Sequence, residues 1–148
     1  MGKLLPWMSL AFVIGMFLPL QAGVNGLLRL QLGSPVAAAF VSFAVGTLCL
    51  LALLLVRQEA LPIPSTKSFS PVWVIGGLLG AAYVWLIIVL MPRLGAALTF
   101  GLVVAGQMAF ALLLDHQGWL GAVRHAINMP RLAGAVAIVA GVVLIRRY

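Results

Sequence analysis

Residues 4–28 read LLPWMSLAFVIGMFLPLQAGVNGLL, an uninterrupted stretch without charge between Lys3 and Arg29. A bilayer core is about 30 Å thick, and at about 1.5 Å of rise per residue roughly 20 apolar residues cross it as a helix. A secretory leader also begins with a base and an apolar stretch, but its apolar part runs to about 7–15 residues and soluble sequence follows. Here more apolar sequence follows. The stretch therefore reads as a first membrane span.

The rest of the chain agrees with it. Of 148 residues, 64% are apolar and 7% charged, and the mean hydropathy is +1.21. A soluble domain is about 45–50% apolar and about 25% charged, so lipid must be the solvent. A second run, 35–56, is opened by Ser34-Pro35, a capping serine followed by a proline suited to the first helical position. Ser70-Pro71 opens a third, 71–91, in the same way. Pro92 and Arg93 then read as a tight break before a fourth, 94–114. The last, 130–146, is apolar only from Leu132 to Ile145. Its flanking arginines can snorkel and it has no polar face for the interface, which favours a fifth span over a buried terminal helix. The fold class is an all-α integral membrane protein, a single five-span domain over residues 1–148. The connection from Glu59 to Ser70, stiffened by Pro62 and Pro64, reads as a solvent loop. Between Asp115 and Pro130, Trp119, Leu120, Val123 and Ile127 recur at helical spacing and predict a short interfacial helix.

The formal charge is +7 and the pI about 11.3, yet the bases are dispersed singly between apolar runs, which argues against nucleic acid as a partner. They read as interfacial anchors and topology signals. With five spans, Lys3, Arg57, Lys67, Arg124 and Arg131 fall on one side, and Arg29, Arg93, Arg146 and Arg147 on the other. Lys and Arg excess selects orientation, and this balance predicts insertion either way up. Transporter folds are commonly two units related by an in-plane pseudo-two-fold axis. Five spans supply one such unit, so the expected assembly is a ten-helix inverted repeat completed by a second copy in inverted orientation, or by an inverted paralogue. Cys49 is the only cysteine, which excludes an intrachain disulfide and a cage of thiols.

Polar residues inside the runs are few. Gln21 and Asn25, four apart, share a face of the first span with Ile14 and Leu18, and Pro19 interrupts the same helix. An unpaired amide in hydrocarbon costs several kcal/mol, so both should face protein or water, as part of a solute pathway or as glue between helices. Gln107 lies near the middle of the fourth run, with Thr99, Val103 and Phe110 along its face. On the third, Trp73, Gly76, Gly80 and Tyr83 combine an aromatic wall with a bare strip, and Tyr83 offers a ring face and a hydroxyl. Gln21, Asn25, Tyr83 and Gln107 are the candidate substrate-binding residues. Gly134, Ala137 and Gly141 read as a packing seam, within the chain or between chains. No carboxylate lies inside a run. Asp115, His116 and His125 match no metal spacing, and no GxxxxGK[ST] loop is present, so no catalytic constellation, metal or cofactor is expected.

QAGVNGLLRLQLGSPVAAAFVSFAVGTL, GGLLGAAYV, and LGAALTFGLVVAGQ followed by LLLDHQGWLG resemble the YdcZ-like family of five-span proteins in the drug/metabolite transporter superfamily, over nearly the whole chain. The Gly-Ser-Pro stretch, Gly106-Gln107 and Asp115 to Trp119 are the more specific pieces. The resemblance implies a multi-pass transporter of the bacterial inner (cytoplasmic) membrane, working as a dual-topology or paired half of a ten-span architecture; the candidate residues themselves suit a small polar or amphipathic solute. Small multidrug resistance transporters are more distantly similar. Their proton-coupling glutamate in the first helix has no match here; Gln21 or Asn25 occupies that region. The rival expectation is a membrane subunit that moves no solute by itself and packs on a paralogous partner.

Overall fold

The computed structural model describes residues 4–60 and 71–147. Five helices follow one another: α1 Leu5–Leu32, α2 Pro35–Val56, α3 Val72–Leu94, α4 Ala96–Gln117 and α5 Met129–Arg147. All five are long and apolar enough to cross a membrane. At about 1.5 Å per residue α1 reaches about 42 Å, longer than a bilayer core. Apolar side chains cover most of the exposed surface, as a protein dissolved in lipid requires. The solvent loop expected from Glu59 to Ser70 lies, apart from its first residues, outside the described residues, as do Lys3 and Lys67.

The turn between α1 and α2 is written into three consecutive residues. Gly33 ends α1 at φ 68°, a left-handed conformation that glycine adopts without a steric penalty. Ser34 is extended, and its hydroxyl accepts the Ala37 amide at 3.2 Å. Pro35 then starts α2 where its missing N–H costs nothing.

Two local expectations need correction. Pro92 and Arg93 do not break the chain: α3 runs through both to Leu94, and the break falls at Gly95, at φ 79°. A proline ring fits helical φ and, near a helix end, costs one hydrogen bond and some crowding of the carbonyl four residues back, whereas Gly95, at positive φ, leaves the helical conformation altogether. The Thr99 hydroxyl then donates to the Gly95 carbonyl at 2.7 Å, closing the first turn of α4. Likewise Pro19 leaves α1 continuous, although the Gly15 carbonyl loses its amide partner.

The interfacial helix is the second correction. Between α4 and α5 there is only a 3-10 turn at Trp119–Gly121, and residues 122–128 are not helical. Gly118, Leu120 and Gly121 all have positive φ, which no α-helix accommodates. Hydrogen bonds reaching back to α4 hold the segment instead. The His125 amide donates to Asp115 O at 2.8 Å, the Ile127 amide to His116 Nδ1 at 3.3 Å, and Arg124 Nε to His116 O at 3.2 Å. Arg131 ties α5 to the same place through the Asp115 carboxylate and the His125 carbonyl. The spacing of four apolar residues was outweighed by this network.

The chain divides into two compact units at Pro92. In the first, Ala38 and Ala39 of α2 pack on Val84 and Ile88 of α3, with Leu28 of α1 and Tyr83 against them. The small alanines let the helices approach closely. The Phe43 ring takes the space beside Gly80, 3.5 Å from where a Cβ would sit. In the second unit α4 meets α5 at Gly101, where an added Cβ would come within 3.0 Å of Val142 Cγ2. Gly134 and Ala137 are exposed, so the close approach inside this unit uses Gly101 rather than that part of the α5 stripe.

Candidate functional site

The face of α1 built at four-residue steps meets α3 inside the first unit. Leu18, Gln21, Ala22 and Asn25 of α1 and Tyr83, Val84 and Ile87 of α3 line a notch whose water-sized space is about 10 Å3. That is room for about one water. Asn25 is only 4% exposed, whereas Gln21 remains exposed at the mouth. The Tyr83 hydroxyl is buried and without a hydrogen-bond partner among the described residues. Three of the four candidate residues are thus assembled around one small polar notch with apolar flanks. Ile14, expected on the same face, is exposed above it and does not line it.

Gln107, on α4 in the second unit, is exposed. Thr99, on its face, is buried with its hydroxyl already donated to Gly95. Trp85 lines an apolar groove of about 560 Å3 with Phe40 and Phe43 rather than the notch. Cys49 is exposed and unbridged. Asp115, His116 and His125 join the network that ties the α4–α5 connection, and among the described residues no group of three His, Cys, Asp or Glu is arranged to hold a metal ion.

Tyr83 permits a sharp test of the notch. A buried, unsatisfied hydroxyl costs about 1–3 kcal/mol. Tyr83→Phe is therefore expected to leave the detergent-solubilised protein at least as stable as the parent, measured by chemical unfolding, while lowering solute flux. A loss of stability beyond about 1 kcal/mol would mean that the hydroxyl has a protein partner.

Near this site stands a base that the sequence by itself presents only as a topology signal. Arg29 continues the series Gln21, Asn25 by four more residues, and its Nη1 lies 3.5 Å from Ile88 O on α3. Pro92 cannot supply the amide that this carbonyl would receive in an uninterrupted helix. The two facts were visible in the sequence separately, but only packing joins them.

A family model described as "Putative inner membrane exporter, YdcZ" matches residues 6–144. The chain belongs to the YdcZ family. No curated protein and no solved structure matches it. As a YdcZ protein it is a multi-pass protein of the inner membrane, from a family whose description is that of an exporter. The family-specific pieces of sequence acquire local roles in the fold. Gly33-Ser34-Pro35 makes the α1–α2 turn, and Asp115 to Trp119 ends α4, with Gly118 at φ 70° closing the helix.

Proposed function

We propose that this YdcZ protein exports a small polar or amphipathic solute as an antiparallel, dual-topology homodimer working by alternating access. Each copy is one five-span membrane domain and contributes Gln21, Asn25, Tyr83 and Gln107 to a chamber near the bilayer midplane. The amides hydrogen-bond the solute, and Tyr83 gives it an aromatic face and a hydroxyl.

The observation that carries this reading is the notch. Asn25 is buried and the half-buried Tyr83 has its hydroxyl buried beside Gln21, polar groups that a lone hydrocarbon-facing helix would not keep, yet the space holds about one water. A solute needs a second wall. The even balance of bases over the two sides supports an inverted copy as the source of that wall. Rocking of the two copies about the fixed site would then open it to each side in turn.

Gln31 and Gln58 flank α2 and are both exposed and uncharged, so cysteines there leave the charge balance untouched. In a Cys49→Ala background, each single cysteine is expected to react with impermeant maleimide from both faces of intact membranes. Labelling of each from one face only would end the dual-topology reading. Pure protein that forms dimers but moves no solute unless a paralogue is added would replace the homodimer by a paired half.

A further inference from the structure

The chain has two side-chain carboxylates, and both are engaged: Glu59 with Arg57 at 2.6 Å, Asp115 with Arg131. Arg29 has neither. It stands one turn beyond Asn25 on the face of α1 that builds the notch. Its side chain turns to α3 and is part-buried, where an interfacial anchor would extend into the headgroups. The acceptor it meets is a neutral carbonyl at 3.5 Å, the outer limit of a hydrogen bond. Ile87, next to that carbonyl's residue, belongs to the notch lining. A guanidinium thus stands in the last turn of α1, one helical turn past the notch residue Asn25, held among the described residues by one long contact, with fork geometry left to offer.

We infer that the exported solute is an organic anion whose carboxylate or phosphate is bound by Arg29, with its polar body on Asn25, Gln21 and Tyr83. This inference rests on the export reading above and deepens it. A positive charge on a part-buried side chain, without an available carboxylate, repels a cationic solute and attracts an anionic one. The planar guanidinium matches two oxygens of a carboxylate or phosphate at once, which an ammonium does not. The anion would supply the countercharge that the protein withholds. The phosphate of a lipid headgroup has the same chemistry, so the test separates the two sources.

Full-length protein is reconstituted in phosphatidylcholine vesicles loaded with matched radiolabelled sets: short straight-chain carboxylates, the corresponding amides and the corresponding amines. Carboxylates are expected to leave faster than their amides, and amines not at all. Arg29→Gln should cut carboxylate flux about tenfold or more without changing amide flux, and Arg29→Lys should restore part of it. Equal flux of carboxylates and amides, flux of amines, or an equal loss across all three sets in Arg29→Gln would overturn the anion assignment while leaving export standing. Absence of flux in every set would overturn export and this inference together. Thermal stabilisation by added phosphatidic acid that Arg29→Gln abolishes, without any carboxylate preference in flux, would assign Arg29 to lipid phosphate and overturn it as well.

Discussion

Asn25→Leu is expected to reduce solute export about tenfold or more while leaving the stability of the folded chain within about 1 kcal/mol. Asn25 is 4% exposed and opens on the notch between α1 and α3. Leucine is of similar size, favours the helix more and has no amide to satisfy. Were the amide only glue between helices, its removal would cost about 0.6–2 kcal/mol, and flux would fall in step with the folded fraction. A solute contact gives the other pattern, with flux lost and the fold kept. Flux from reconstituted vesicles and chemical unfolding in detergent, measured on the same preparation, separate the two. Unchanged flux would remove Asn25 from the site.

The second large effect belongs to packing. Gly101→Leu is expected to destabilise the α4–α5 unit by about 1–3 kcal/mol, because overpacking forces neighbours off their rotamers. A Cβ on residue 101 alone would stand 3.0 Å from Val142 Cγ2 and 3.6 Å from its Cγ1, before the rest of a leucine side chain is placed. Val142 is itself buried at the α4–α5 contact, so moving it disturbs that contact. Shortening it should relieve the clash: Gly101→Leu combined with Val142→Ala is expected to regain most of the lost stability. Such recovery is the signature of two sites in direct contact. If the double variant unfolds as readily as Gly101→Leu alone, the close approach at this position does not limit stability.

The export reading proposed for this YdcZ protein rests on where a handful of polar groups stand, and those groups differ in how openly the sequence declares them. Gln21 and Asn25 are conspicuous because amides are costly in hydrocarbon, and their spacing alone puts them on one face. Tyr83 could be suspected, but not its meeting with them across a helix–helix contact. Arg29 resembled any other base at the end of a span. Its inward turn depends on a carbonyl of α3 that Pro92 leaves open, far away along the chain.

The number and length of the helices and the Gly-Ser-Pro turn were legible from residues near one another. Helix length against bilayer thickness, and caps beside prolines, are local and strong signals. The end of α3 and the course of residues 118–128 were not. There, positive φ at glycines and hydrogen bonds back to α4 outweigh the local pattern. By itself the sequence determined that this is a protein of five apolar helices with Gln21 and Asn25 on one face of the first, because hydrocarbon penalises every misplaced polar group. Only tertiary structure decided which α3 side chains meet that face and that Arg29 turns to the Ile88 carbonyl. In a chain this uniformly apolar, periodicity is too weak to orient one helix about another, and side-chain packing does so instead.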